Sequence, residues 1–226
     1  MEYFNIEDFI RNRKSIRGFK SDLISRDIIK KILDAAIWAP SAINTQPWEI
    51  NVVTGDALNN IKRDNLKKLA QGTKQSMHNN FEGIFRERQI ILAKQIFTLM
   101  DIKREDKEKN AEWTKRGFCF FDAPAVIIIS IDNSLKDKQW SLFDIGLITQ
   151  NICLLALYYD LGTCIDAQGI CFPEVIREHA RIPGNKEIII GIAIGYPDWD
   201  FPANSLRSQR EKLENIVSWT GWKNNY

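Results

Sequence analysis

The chain has 226 residues and a mass of 26.2 kDa, enough for one large domain or two small ones. Its hydrophobic fraction of 44% and charged fraction of 27% are typical of globular proteins, which excludes a wholly disordered, collagen-like or coiled-coil chain. With 31 basic and 29 acidic residues the net charge is only +2, so the composition shows no nucleic-acid-binding signature.

The N-terminal part of the chain predicts, in order, two helices, a loop and a strand. Residues that suit helix N-caps open both helices, and an apolar stripe at helical spacing follows the second cap. Prolines stiffen the loop, and β-branched residues in loose alternation indicate the strand. The predicted bounds are helices from Asn5 to about Asn12 and from Ser25 to before Pro40, a loop over 39–47 and a strand over 48–54.

The rest of the chain predicts polar helices, then three strands and one long apolar helix. A capping-box pattern at Ser141–Asp144 predicts the start of the apolar helix, which belongs in a core or a subunit interface because nearly every side of it is apolar. The absence of regular βαβ alternation favours an α+β fold. The predicted bounds are polar helical chain from Asp56 to about Lys115, an apolar helix to Tyr159 closed by Gly162, and strands at Ala125–Ile131, Thr163–Ala167 and Glu187–Ile194.

Several site types and locations are excluded or disfavoured. The only histidines, His78 and His179, have no ligand spacing and are predicted to lie at the surface, and no zinc cluster, Walker A or nucleophile-elbow motif is present. No secretory signal is visible, and no apolar run approaches the ~20 residues of a membrane span. We therefore expect a cytoplasmic protein without membrane or nucleic-acid partners, in which the four cysteines are reduced, small buried hydrophobic residues: Cys119, Cys153, Cys164 and Cys171.

The segment Arg13-Lys14-Ser15-Ile16-Arg17 carries the clearest chemical signal. If it is extended, alternation places Arg13, Ser15 and Arg17 on one face. Guanidinium groups that flank a hydroxyl suit a phosphate, whose oxygens they bind bidentately. By itself the segment is equally compatible with a basic helix C-terminus that complements the helix dipole.

The loop from Ala39 to Trp48 offers a second polar cluster, with Ser41, Asn44 and Gln46 between two prolines. These groups suit a flat heterocycle with imide-like edges. The alternative is a turn that hydrogen-bonds to itself, as such residues often do. The loop alone does not decide between the two.

The C-terminal region carries the third cluster, in which Gly195-Tyr196-Pro197 precedes Arg207 and Arg210. On a helix these two arginines would share a face, three residues apart. They would then join Arg13 around one phosphate or remain a solvated pair, and the tail alone leaves both interpretations open.

Together, in this order and at these separations, the three segments resemble the FMN-dependent nitroreductase family. Its pattern is R-[RKH]-S-x-R/K, then A-P-S-x-x-N-x-Q-P-W, then G-Y-P with an arginine-bearing tail, and the likeness runs from about Asn5 to Trp219. The resemblance implies a single α+β domain over residues 1–226, with a central, mostly antiparallel sheet flanked by helices. It also implies an intertwined homodimer with FMN at the interface, in which the tail from about residue 200 extends over the partner subunit.

The resemblance also assigns roles to individual residues. No catalytic side chain is implied, because the flavin carries the redox chemistry. Gln168 departs from relatives that often hold an acid there, which matters little if only its backbone is used. The implied cofactor-binding residues are Arg13, Lys14, Ser15, Arg207 and Arg210 at the phosphate, Arg17 at the pyrimidine edge, Pro40, Ser41 and Asn44 from the partner subunit, and the backbone of Ala167, Gln168 and Gly169 at flavin N5.

The implied activity is the reduction of nitroaromatics or similar small electrophiles by ping-pong hydride transfer, with NADH or NADPH as reductant. The helical segment from Met77 to Trp113, with Phe81, Phe85 and Phe97, is a candidate substrate lid, and simple core packing is its alternative. A flavin-dependent reductive dehalogenase or flavin-fragmenting enzyme is a second interpretation, although residues 76–115 lack the tyrosine that a dehalogenase lid needs. A non-enzymatic flavin-binding module is the third.

Overall fold

The structure is a computed structural model that describes residues 5–76, 81–135 and 137–221. Its strands are β1 (Glu49–Thr54), β2 (Ala125–Asp132), β3 (Gly162–Asp166) and β4 (Lys186–Gly195). Its α-helices are α1 (Ile6–Asn12), α2 (Arg26–Ala36), α3 (Gly55–Ala70), α4 (Gly83–Leu99), α5 (Lys107–Phe118), α6 (Lys138–Tyr158) and α7 (Pro173–Ala180). This mixture confirms the predicted α+β class.

The four strands form one antiparallel sheet in the order β1-β2-β4-β3. β2 is central and buried along almost its whole length, as its continuous apolar run predicted. At the β3 edge Ser15 forms an isolated parallel bridge with Thr163, and the N–H of Ile16 donates to the Thr163 carbonyl at 2.9 Å. The basic N-terminal segment is therefore extended and lies beside β3.

Helices cover both faces of the sheet because β2 is apolar on both. Ile127 and Ile129 of β2 pack in a cluster with α2 and α6, whereas Val126 and Ile128 pack in a second cluster with α3, α7 and the end of α5. Both clusters share one sheet, so the described residues form a single two-faced core.

The N-terminal helices begin where the sequence predicted. The side chain of Asn5 accepts a hydrogen bond from the N–H of Glu7 at 3.0 Å, and that of Ser25 accepts from Ile28 at 3.3 Å. Both side chains satisfy backbone donors that a helix start leaves without partners.

Helix α6 begins earlier than the predicted capping box. Asp137 is the N-cap and accepts from the N–H of Gln139 at 3.2 Å, whereas Ser141 and Asp144 are buried inside the helix. The box prediction at Ser141–Asp144 was therefore wrong, because Asp144 bonds a distant loop instead of its own helix start. The helix is long and apolar enough for a membrane span by length and composition, as the core helices of globular proteins also can be, and it packs on the sheet.

Two smaller expectations are also corrected. Arg207 and Arg210 lie in chain without helical structure, so they share no helix face. His179 is half-buried instead of at the surface, and its Nε2 lies 2.8 Å from Asp64 Oδ2. Hydrogen bonds from Arg63 and from His179 lower the pKa of Asp64 to about 2. All four cysteines are buried, as predicted. His78 lies outside the described residues.

Candidate functional site

A groove of about 470 Å³ collects basic side chains from both ends of the chain. Arg13 and Lys14 follow α1, and Arg207 and Arg210 come from the C-terminal tail. Cations converging on one groove suit an anion such as a phosphate monoester. The other lining residues are Ile10, Arg11, Asn12, Gln150, Ile165 and Ser208.

In the part of the chain that the structure describes, the two arginines of the tail bond to uncharged groups. Arg207 donates to Asn12 Oδ1 at 3.1 Å, and Arg210 donates to the carbonyl and hydroxyl of Ser208. Neither forms an ion pair with an acid within the described ranges. Burial, with the nearby charge of Arg207, lowers the pKa of Lys14, as expected where cations gather without an anion.

Asn204 joins the two ends of the chain at this groove. It is fully buried, and its Oδ1 accepts from the N–H of Arg17 at 2.7 Å and of Gly18 at 3.2 Å. Its Nδ2 donates to the carbonyls of Gly18 and Asp198, both at 2.7 Å, and its own carbonyl accepts from the Lys14 ammonium. Sequence reasoning assigned Asn204 no role, because its partner Arg17 is 187 residues away along the chain.

Ser15 and Arg17 lie outside the residues that line the basic groove. The Ser15 hydroxyl hydrogen-bonds with the Cys164 side chain, and the Arg17 guanidinium lies over the Phe121 ring with 5.9 Å from Cζ to the centroid. The charge of Arg17 acts on Cys164 and on Asp166. Arg17 therefore lies apart from the cations of the basic groove, and Ser15 does not line the groove in which the phosphate is expected.

The turn after β3 is held from several sides. The N–H groups of Gln168 and Gly169 donate to Asp166 Oδ1 at 2.9 and 3.4 Å, and the Gly169 carbonyl accepts from Asn65 Nδ2 at 2.8 Å. A Cβ at Gly169 would lie 2.2 Å from the Phe120 ring, so only glycine fits. In this structure Asp166 therefore takes two of the N–H groups that the resemblance assigned to flavin N5.

A strained turn lies next to this region. Phe120, Phe121 and Asp122 all have left-handed φ values, of 54°, 53° and 63°, which for such residues costs roughly 1–2 kcal/mol each. Arg116 of α5 pairs with Asp122 at 2.7 Å and donates to the Arg17 carbonyl at 3.1 Å. Backbone strain of this kind concentrates at functional sites, and nothing in the sequence signals it.

The proline-bounded loop is built as a turn that hydrogen-bonds to itself. Ser41 Oγ accepts from the N–H of Gln46 at 2.9 Å, and Asn44 Oδ1 accepts from the Gln46 side chain at 3.2 Å. The buried carboxylate of Asp144 accepts from the N–H of Ala42, with both oxygens 3.2 Å away. This bonding restrains the loop while leaving Asn44 exposed.

The loop borders a different cavity from the basic groove. Pro40 and Ser41 line an apolar cavity of about 250 Å³ with the α6 side chains Trp140, Phe143 and Leu147. Gln150, only three residues beyond Leu147 on α6, lines the basic groove. Within one subunit, the two halves of the expected cofactor site thus line neighbouring but separate cavities along α6.

The candidate lid is largely exposed where the structure describes it. The side chains of Phe81 and Phe85 are 46% and 63% exposed, which argues against core packing for these two, whereas Phe97 is half-buried. Arg88 on α4 pairs with Glu211 of the tail at 2.5 Å. Residues 77–80 of the predicted lid lie outside the described residues.

Across the parts of the chain that the structure describes, no group of three or more histidine, cysteine or acidic side chains is placed to hold a metal ion.

Burial raises the pKa of the Cys119 thiol to about 11, so this thiol is protonated at neutral pH. The site chemistry thus lies in the basic groove and the buried polar groups beside it.

Comparison with known proteins relates this arrangement to characterised enzymes. The 4-nitrobenzoate reductase of Pseudomonas putida is 31% identical, covering 94% of each chain, and the nitrobenzene nitroreductase of Ectopseudomonas oleovorans is 29% identical, covering 94% of this chain and 96% of its own. The FMN and NADPH-dependent nitroreductase NfnB from Sphigopyxis sp. strain HMH shares the fold with a TM-score of 0.89 at 21% identity, over 97% of this chain and all of that chain. Residues 10–196 match the Nitroreductase family, and the chain belongs to that family.

Proposed function

We propose that this protein is an FMN-dependent NAD(P)H oxidoreductase that reduces nitroaromatics or similar small electrophiles by ping-pong hydride transfer. The observation that carries the proposal is the groove in which Arg13 and Lys14 meet Arg207 and Arg210. The relatives named above reduce 4-nitrobenzoate and nitrobenzene, and the structure of NfnB from Mycobacterium smegmatis, with a TM-score of 0.89, is an FMN-dependent nitroreductase in complex with NADPH. Either NADPH or NADH serves as the reductant in this proposal.

The residues present fit FMN at both its charged and its apolar parts. The four cations would hold the phosphate, and Ile10 and Ile165, 50% and 43% exposed, give the groove an apolar surface. Among the predicted phosphate ligands, Ser15 is the one that the groove supports least, since it faces Cys164.

When bound, FMN supplies a centre that accepts a hydride from the nicotinamide and passes it to the acceptor. The chain's own groups bind and orient. The backbone of Arg17 is held by Asn204 and Arg116, and its guanidinium lies over Phe121. It would supply a fixed positive charge to stabilise negative charge on the flavin ring. No catalytic histidine or carboxylate pair is needed for this chemistry.

We propose that the site is completed by a second copy of the chain. Trp140, Leu142 and Phe143 of α6 and Ile43 of the loop are exposed, and exposed apolar side chains in such number are typical of subunit interfaces. In a homodimer, Pro40, Ser41 and Asn44 would reach the groove of the partner subunit, and the tail from about residue 200 would cross it. A single domain over residues 1–226 and a cytoplasmic location complete the proposal.

Purification tests the function directly. The protein should be yellow, lose its flavin absorbance with NADPH or NADH, and regain it with 4-nitrobenzoate or nitrobenzene. The double variant Arg13→Ala/Arg210→Ala should bind FMN at least about a hundredfold more weakly, because each of the two charge-assisted bonds is worth roughly 1.5–3 kcal/mol.

The matched control is Lys30→Ala/Lys31→Ala, which removes two exposed positive charges from α2 and should leave FMN affinity unchanged. A colourless protein that does not bind micromolar FMN would contradict the assignment. Unchanged turnover in the Arg13→Ala/Arg210→Ala variant would contradict the role of the groove.

A further inference from the structure

Asp166 is a buried acid that the proposed hydride transfer does not use. It is the last residue of β3, 4% exposed, and follows Ile165, which lines the basic groove. Opposite it on β4 stands Gly191, which brings no side chain. Because side chains alternate along a strand, Ile165 faces the groove and Asp166 lies on the opposite, buried face of the sheet.

The two oxygens of this carboxyl group are in different situations. Oδ1 accepts the N–H groups of Gln168 and Gly169, which accounts for its structural role in the turn. Oδ2 is buried and has no hydrogen-bond partner among the described residues. An ionised oxygen left in that state is costly, and the structure of the turn does not require it.

The charged and titratable groups that face Asp166 come from three elements. Arg17 lies on the N-terminal segment, Cys164 on β3 itself, and Cys119 at the end of α5. Of these, only Arg17 carries a positive charge, and it forms no ion pair within 4.0 Å of Asp166 in the part of the chain that the structure describes. Asp166 is thus coupled to Arg17 without being neutralised by it.

Burial raises the pKa of Asp166 to about 7, although the bonds from Gln168 and Gly169 and the charge of Arg17 act in the opposite direction. A carboxyl group in this range changes its protonation state when the local charge changes by one unit. The charge that would change beside it is that of the cofactor, since Arg17 is expected at the pyrimidine edge and residues 167–169 at flavin N5.

We propose that Asp166 takes up one proton when the bound flavin is reduced and releases it when the flavin is reoxidised. The inference rests on the proposed flavin function and adds to it a residue that couples protons to electrons. Asp166 acts through the charge of Arg17 and the turn at Gln168–Gly169, so it is a positioning residue.

The exchange balances in both directions. NAD(P)H gives one hydride, which consists of two electrons and one proton. The flavin would thereby become more negative by one charge, and the Asp166 carboxylate would bind one proton from solvent. When a nitro group accepts that hydride and one further proton, an N–O bond breaks and the nitroso group and water form. The proton that Asp166 then releases equals the one consumed.

The test compares the reduction potential of bound FMN from pH 5 to 9 in the wild type and in Asp166→Asn. Asparagine keeps an oxygen that can accept the N–H bonds of the turn, but it cannot take up the proton. We expect the wild-type potential to fall more steeply with pH around neutrality, by one additional proton for each pair of electrons, and the variant to lose this additional slope. The matched control is Asp34→Asn, which makes the same change at an exposed site on α2 and should retain the wild-type slope.

A second measurement reads the carboxyl group itself. The infrared difference spectrum of reduced minus oxidised wild-type protein should gain the C=O stretch of a protonated carboxylic acid, and this band should disappear in Asp166→Asn. If the variant does not fold, the wild-type spectrum alone decides, since absence of the band overturns the inference. Identical slopes in wild type and variant also overturn it. Failure of the wild type to bind FMN instead overturns the proposed function itself.

Discussion

At the residue scale, the candidate site is shaped by buried polar side chains that hydrogen-bond to backbone atoms. Asn204 bonds to Arg17 and Gly18, Asn65 bonds to the Gly169 carbonyl, and Asp166 bonds to the turn behind β3. Each of these bonds adds only modestly to the free energy of folding. Removing one partner costs more, because a buried donor or acceptor then has neither a protein partner nor water. Such residues show no motif, because backbone partners place no demand on neighbouring residue types.

Asn204→Ala should destabilise the protein by about 2–4 kcal/mol, because it removes four hydrogen bonds and leaves buried backbone groups of Arg17 and Gly18 without partners. Chemical denaturation of the cofactor-free protein measures this loss. Ser205→Ala, at the exposed neighbouring position, should change stability by only about 0.5 kcal/mol. Equal stability of the two variants would show that Asn204 does not hold the two ends of the chain together.

The raised pKa of Asp166 predicts that the stability of the cofactor-free protein depends on pH. Its folded-state pKa of about 7 lies above the ordinary value of 3.8, so the folded state binds the proton more tightly than the unfolded state. The resulting stabilisation is complete below about pH 4 and is lost as the pH rises to about 7, with an upper limit of about 4 kcal/mol. The wild type should therefore lose stability relative to Asp166→Asn over this window, and a constant difference between their unfolding free energies would contradict the shift.

At the element scale, the loop before β1 depends on a helix that is distant in sequence. Asp144 of α6 holds the N–H of Ala42, while Ile43, Asn44 and Gln46 adopt left-handed φ values between 47° and 58°. Ile43 is β-branched, for which this conformation is unfavourable, and its side chain is 99% exposed. The strain therefore persists because Asp144 and the bonds within the loop determine its shape.

Asp144→Ala should destabilise the protein by about 1–3 kcal/mol, because the N–H of Ala42 loses its acceptor. It should also weaken FMN binding, since the loop is proposed to reach the cofactor of the partner subunit. Fluorescence titration with FMN measures the affinity, and thermal unfolding measures the stability. Asp144→Asn keeps one acceptor and should recover much of both, and FMN affinity that is unchanged in Asp144→Ala would separate the loop from the cofactor.

At the scale of the whole molecule, the two halves of the proposed site line separate cavities at successive turns of α6. The basic groove includes Gln150 and the loop cavity includes Leu147, and within one subunit the two cavities share no lining residue. A second copy related by a two-fold axis would join each groove to the other copy's loop, with the apolar side chains of α6 buried between them.

Phe143→Glu tests this arrangement, because it places a charge on the exposed apolar side of α6, where Phe143 is 62% exposed. Analytical ultracentrifugation should show a dimer for the wild type, and the variant should dimerise at least roughly tenfold more weakly. The variant should also bind FMN more weakly. Glu105→Lys, a change of charge at an exposed position before α5, is the control. A wild-type monomer that binds FMN fully would refute the shared site.

The sequence by itself determined the α+β class, the buried β2, the caps at Asn5 and Ser25 and the three segments that identify the family. These features are local, since periodicity, capping and motif spacing act over a few residues. Only the tertiary structure decided that Asn204 joins the termini, that Asp144 supports a loop instead of capping its own helix, and that Asp166 is buried with one free oxygen. Those facts depend on contacts between residues far apart in the chain, for which local pattern carries no information.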